Sequence, residues 1–171
     1  MPEDVLPPPA ERYVQRMGLL WQAQGLPRTA GQIVGFLALQ GQPRTIKDIA
    51  GALGVSRGGV STDARRLERL GLVQRSSRPG DRRDFYAIAP DMPARVVALK
   101  LAELERFGTV LEAARELPET APEVRERLCG FADFHHRAVR LLQDLLTDAD
   151  VTRALGADTR PDRTPAQPRL P

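Results

Sequence analysis

Cysteine is almost missing from this sequence: Cys129 is the single one in 171 residues. No intramolecular disulfide can form, and no metal site can draw on paired thiolates, which fits a reducing compartment. Histidine occurs only as the adjacent pair His135 and His136. Neighbours on a helix point about 100° apart and do not chelate one ion in the i, i+4 manner. No metal or other cofactor is therefore expected. No stretch approaches the ~18 consecutive apolar residues of a membrane span, and residues 1–10 are acidic and proline-rich without the apolar segment of a signal peptide. A cytoplasmic location without membrane association is expected. Ser/His/Asp sets, glycine-rich phosphate loops and zinc signatures at workable spacing are also lacking, which argues against an enzyme. Nor is there an internal repeat. Lysine is scarce, with only Lys47 and Lys100, so arginine carries the basic charge.

What is present is an uneven charge distribution and a clear succession of elements. The chain is +3 overall and 42% hydrophobic, enough for a core. Residues 44–89 hold ten Lys/Arg against five Asp/Glu, which implies a local, phosphate-facing surface rather than general basicity. A first amphipathic helix is expected from about Ala10 to Gln24, where Tyr13, Met17, Leu20 and Trp21 recur at helical spacing. Pro27 suits the first turn of a second helix, whose Ile33, Val34, Phe36, Leu37 and Leu39 make it apolar nearly all round and place it at the domain centre.

Thr45-Ile-Lys-Asp48 has the form of a capping box opening a short helix, with Ile46, Ile49, Ala50 and Leu53 as its buried stripe and Gly54 ending it. Ser56 caps the next helix, which buries Val60, Ala64, Leu67 and Leu70 and stops at Gly71. Two short helices joined by a tight glycine-containing turn are a helix-turn-helix. Alternation then replaces helical periodicity: Leu72 to Ser77 and Asp84 to Ile88 read as strands around the tip Arg78-Pro-Gly-Asp-Arg-Arg83. A hairpin in that position is a wing. The expected fold is mainly α with a small β-hairpin, a winged helix-turn-helix with additional N- and C-terminal dimerisation helices.

Long helices return from Pro93 to Leu117 and from Pro122 to Leu146. The second carries Val124, Leu128, Phe131, His135, Ala138, Leu142 and Leu145 as a heptad seam, which needs a partner. Val97, Leu101, Leu104 and Leu111 give the first a similar stripe, so the pair is expected to form a hairpin that packs on a second copy, with these seven seam residues as the dimer interface. The expected organisation is a flexible N-terminus (1–9), a DNA-binding domain (10–90), a helical dimerisation region (91–150) and a mostly disordered tail (151–171).

The second helix of such a motif presents its N-terminal part to base edges in the major groove. Opposite its core stripe stand Arg57, Gly58, Ser61, Thr62, Arg65 and Arg66, with Arg able to fork onto guanine or phosphate and Ser and Thr able to reach either. Gly58 and Gly59 are unexpected, because a glycine costs a helix interior about 0.8–1 kcal/mol relative to alanine. Two readings stand: close approach of DNA, or tight packing against the preceding helix. At the hairpin tip, Arg78, Arg82 and Arg83 answer no need of a core, whereas a minor groove and its phosphates would use them. Asp81 and Asp84 oppose an anionic ligand unless one of them orients a neighbouring arginine.

The segments Leu26-Pro-Arg-Thr-Ala-Gly-Gln-Ile-Val-Gly35, Ala52-Leu-Gly-Val-Ser-Arg-Gly-Gly-Val-Ser61, Leu67-Glu-Arg-Leu-Gly-Leu-Val73 and Arg78-Pro-Gly-Asp-Arg-Arg83 together resemble the GbsR-like branch of the MarR superfamily of transcriptional regulators. The resemblance spans Arg12 to Ala89 closely, and the later helices only in character. It implies a homodimer joined through its terminal helices, an operator of double-stranded DNA with symmetric half-sites, and a wing of Asp-x-Arg pattern. In that pattern Asp81 positions Arg83 for the minor groove. A small-molecule effector and nucleoid association would fit the same resemblance. The competing reading is a winged helix used for protein-protein interaction without DNA. Cys129 adjoins an apolar stripe and reads as an inert thiol, and His135 as an interface residue that hydrogen-bonds.

Overall fold

The order along the chain is α1 (Pro8–Ala23), α2 (Arg28–Ala38), β1 (Arg44–Thr45), α3 (Ile46–Leu53), α4 (Arg57–Arg69), β2 (Val73–Arg78), β3 (Asp81–Ile88), α5 (Met92–Ala113), a 3-10 turn (Ala114–Glu116) and α6 (Pro122–Thr147). The structure is a computed structural model that describes residues 6–117, 121–148 and 151. Most of the segments expected to be flexible, 1–5 and 152–171, lie outside the described residues. The chain divides into two units, residues 1–92 and 93–171. The first is a winged helix-turn-helix: helices around a small three-stranded antiparallel sheet.

In the first unit, α2 is the central helix, with every residue from Ala30 to Leu37 buried. It ends at Ala38, one residue before Leu39, which is exposed and therefore not part of the apolar girdle expected from sequence. Helix α1 packs on α2 through glycine. A Cβ on Gly31 would stand 2.6 Å from the Met17 carbonyl oxygen, one on Gly18 2.7 Å from Gln32 Cγ, and one on Gly35 3.0 Å from Met17 Cβ. Because these contacts need the smallest residue, the buried face of α1 runs through Val14 and Gly18, while Tyr13 and Leu20 are 42% and 54% exposed. Of the large apolar residues that recur along α1, Met17 and Trp21 pack against the α2 glycines, whereas Tyr13 and Leu20 face outward. Across the same seam, Arg28 and Gln32 both donate to Gln15 Oε1, at 2.7 and 2.9 Å.

The capping box at α3 forms as its residues dictate: Asp48 N donates to Thr45 Oγ1 (3.3 Å) and Thr45 N to Asp48 Oδ2 (3.0 Å). Burial works to raise the Asp48 pKa, but the two bonds with Thr45 together with the charges of Arg44 and Arg83 outweigh it and hold the carboxyl below its ordinary value. Gly54 takes the left-handed conformation, φ 65°, that closes α3. Thr45 also belongs to β1, a strand that sequence reading did not anticipate because two residues carry no alternation. It pairs with Phe85, and Arg44 with Tyr86, making β3 the central strand in the order β1-β3-β2.

In the second unit, α5 and α6 run antiparallel. Gln143 Nε2 donates to Glu105 Oε1 (2.8 Å), His136 Nδ1 lies 3.1 Å from Glu112 Oε1, and Arg115 reaches Asp133 at 2.5 Å. Among the described residues, its buried side chains are Leu111, Ala132, His135 and Val139. Helical limits match the sequence reading to within a few residues, apart from the 3-10 turn that finishes the first helix.

Candidate nucleic-acid interface

Ser56 Oγ accepts from Gly59 N at 3.2 Å and starts α4, which buries Val60, Ala64 and Leu67 completely. That inner face fixes what lies outside. Arg57, Gly58, Thr62, Arg65 and Arg66 are exposed, with Ser61 half-buried at the edge. None of these arginines makes an ion pair among the described residues, and their side chains face solvent. Thr62 Oγ1 donates back to the Gly58 carbonyl at 3.0 Å. Gly58, Thr62, Arg65 and Arg69 follow one another along a single helical stripe.

Thr62, Arg65, Glu68 and Arg69 line an open groove whose far wall is Arg75 of β2. Sequence reading missed Arg69 and Arg75. The first is detectable from its spacing to Arg65 and Arg66, whereas the second depends on where the hairpin folds. Arg75 bridges two carboxylates, Glu68 of α4 at 3.2 Å and Asp84 of β3 at 3.4 Å. The partner of Asp84 is therefore Arg75, across the hairpin and not at its tip, and Glu68 ties that same arginine to α4.

The wing is longer and tighter than sequence alone implies. Strands reach Arg78 and Asp81, which pair directly, leaving Pro79 and Gly80 as the turn, with Gly80 at φ 78°. Arg82 and Arg83 consequently sit on β3 and not in the tip loop. Between the pairs Ser76–Phe85 and Arg78–Asp81 the register shifts, so residues 82–84 of β3 stand opposite Ser77 alone. Irregularity of this kind re-aims side chains.

Asp81 organises that irregular segment. Its Oδ1 accepts from the Arg83 backbone N at 2.9 Å, while Arg83 Nε and Nη2 donate to the carboxylate at 2.9 and 2.6 Å. The side-chain bonds from Arg83, then its backbone bond, lower the Asp81 pKa to about 2. The guanidinium of Arg78 lies 4.2 Å from the centroid of the Phe85 ring and that of Arg83 5.6 Å from it. Arg83 is thus held at three points yet its side chain is 64% exposed. Arg82 is exposed and without an ion pair among the described residues.

Of the two readings of the glycine pair, packing does not account for Gly58, since a Cβ there would meet nothing within 4 Å. Gly59 has an internal reason: a Cβ would stand 3.3 Å from the capping Ser56 oxygen.

The seven seam residues of α6 do not share one environment. His135 is buried, its Nε2 2.8 Å from the Leu104 carbonyl oxygen and its ring edge-on to Phe107. Val124, Leu128 and Ala138 are half-buried, and Phe131, Leu142 and Leu145 are exposed. Phe134 and Leu141, outside the heptad count, are 69% and 70% exposed. Cys129 is half-buried. Among the described residues there is no group of three or more His, Cys, Asp or Glu able to hold a metal, and no helix long and apolar enough to cross a membrane.

Comparison with known proteins agrees with this geometry. A MarR family model matches residues 24–84. The HTH-type transcriptional regulator MmpR5 of Mycobacterium tuberculosis is 31% identical over 146 residues, covering 83% of this chain and 85% of its own. The putative HTH-type transcriptional regulator YvaV of Bacillus subtilis is 24% identical over 81 residues, 47% of this chain and 46% of its own. A solved structure described as a transcriptional regulator superposes with a TM-score of 0.65 at 25% identity, covering 86% of this chain and 98% of its own.

Proposed function

The chain belongs to the MarR family of transcriptional regulators, and on that premise we propose that it binds operator DNA as a homodimer. Residues 10–90 form the DNA-binding domain and 91–150 the dimerisation region. Helix α4 enters the major groove, where Arg57, Gly58, Ser61, Thr62, Arg65 and Arg66 meet base edges and flanking phosphates. The wing follows the adjacent minor groove with Arg78, Arg82 and Arg83. Within that family the Pro27-Arg-Thr-Ala-Gly31 segment supports assignment to the GbsR-like branch. It works in the cytoplasm, associated with the nucleoid, and a small molecule that prefers one separation of the two recognition helices would control it.

The observation that carries this reading is the Asp81–Arg83 fork. A carboxylate beside an anion-binding surface costs affinity unless it spends its charge on orienting a cation, and here the oriented guanidinium remains open to solvent. The unpaired arginines of α4 lie on the same domain, joined to the wing through Arg75. The exposed Phe131, Phe134, Leu141, Leu142 and Leu145 of α6 supply an apolar surface for a second copy.

Duplex binding measured against salt tests the proposal. Several phosphate contacts per dimer predict a steep fall in affinity, with a slope of about −0.9 per contact in log-log form. Footprints should show symmetric half-sites roughly 10 base pairs apart. Absence of binding to any duplex, or binding indifferent to salt, would favour the protein-interaction reading.

A further inference from the structure

Gly58 has no reason internal to the protein. Its φ is not among the positive values that demand glycine, its Cβ position is empty, and no neighbouring element packs on it. Alanine there would strengthen the first turn of α4 at no steric cost within the chain. Its surroundings are equally specific. Thr62, one turn on, folds its hydroxyl back onto the Gly58 carbonyl, and Arg65 and Arg69 continue the same stripe along the groove that Arg75 closes. The result is a recess of methyl size at the N-terminal end of a line of arginines.

We infer that Gly58 is where a base edge of the bound duplex comes nearest the helix backbone, making it a specificity-determining position. The absent side chain leaves room for the major-groove floor between Arg57 and Thr62. This inference rests on the DNA-binding reading above. N-terminal residues of a recognition helix lie against base edges while arginines further along hold phosphates, so a methyl group at Gly58 would push the helix out of register with the bases and leave non-specific phosphate contacts largely intact.

The test uses the full-length protein, a duplex that the wild type selects from a randomised pool, and an unrelated duplex of equal length. Gly58→Ala and Gly58→Ser are compared with wild type in thermal unfolding and in binding to both at one salt concentration. The expected result is a Gly58→Ala melting temperature at or above that of wild type, affinity for the selected duplex reduced roughly tenfold or more, the scale of a mismatched base pair, and affinity for the unrelated duplex nearly unchanged. Gly58→Ser should lose affinity in the same pattern. Unchanged affinity for the selected duplex would overturn the inference alone. Equal losses on both duplexes would overturn the base-edge assignment in favour of a phosphate contact. If the wild type selects no duplex, the parent reading falls with it.

Discussion

Asp81 and Arg83 form a closed unit on β3, in which one carboxylate accepts from both the backbone N and the guanidinium of a residue two positions on. A simple count of charge makes Asp81 unfavourable for DNA binding. On the proposed DNA-binding reading that sign reverses, because the carboxylate is bound to the Arg83 backbone N and guanidinium and so fixes the direction of Arg83.

Asp81→Ala should therefore weaken operator binding even though it removes a negative charge. Arg83→Ala should cost roughly tenfold, the scale of a charge-assisted hydrogen bond. The double variant should lose little more than Arg83→Ala alone, since both substitutions remove one device. Fluorescence anisotropy on a labelled duplex reads all three. Tighter binding by Asp81→Ala would mean that repulsion, and not orientation, governs the residue.

The same fork has a pH signature. Its hydrogen bonds hold the Asp81 pKa at about 2, so the interaction is fully present above the ordinary carboxylate pKa of 3.8 and is lost only as pH falls through about 2. Carboxyl-carbon NMR titration should show Asp81 ionised throughout the neutral and mildly acidic range. In Arg83→Ala its midpoint should return toward the ordinary value.

Asp63 behaves in the opposite way. It lies on the buried face of α4, where burial raises its pKa and the charge of Arg66 only partly opposes the shift. Its contribution to stability is greatest below 3.8 and is lost as pH rises through the elevated native value. Asp63→Asn should be more stable than wild type in urea at neutral pH, and the gain should shrink as the solution is acidified. A constant difference across pH would show that the carboxylate is not the cause.

Gly31→Ala tests the seam between α1 and α2. The new methyl would meet the Met17 carbonyl oxygen at 2.6 Å and Trp21 Cβ at 2.7 Å, and backbone cannot yield as a flexible side chain does. Destabilisation of about 1–3 kcal/mol is expected from overpacking, measured by chemical denaturation. The contrast with Gly58→Ala is direct, since the same substitution has opposite consequences where space is absent and where it is open.

For assembly, Phe134→Glu or Leu141→Glu should shift the protein to monomer in sedimentation and weaken operator binding, leaving the helical content unchanged. Both side chains are more than two-thirds exposed, so neither substitution empties a core. A dimer that survives both would place the interface elsewhere.

Much of the first unit was legible because its signals are local. Thr45 with Asp48, Ser56, Gly54 and Gly71 set helix ends through their own backbone chemistry, and Val60, Ala64 and Leu67 recur at the spacing of one helical face. The wing's length was misjudged for the converse reason: pairing of Arg78 with Asp81 is a cross-strand relationship, and composition marked the whole charged stretch as turn. β1 was invisible since two residues carry no period.

By itself, then, the sequence determined where helices start and stop, which face of α4 is buried, and the family to which the chain belongs, all of which depend on neighbours within a turn or two. Tertiary structure decided the rest. It gave α1 its inward face through three glycines on a helix crossing, assigned Asp84 to Arg75, gave the Asp81–Arg83 pairing its hydrogen-bond geometry, and divided the α6 seam between a buried His135 and exposed leucines. It also changed the winged helix-turn-helix from a pattern of basic residues into a surface on which Arg83 is held by Asp81 and a Cβ at Gly58 would meet open space. These depend on which distant side chains meet, and that is settled by packing and charge across space.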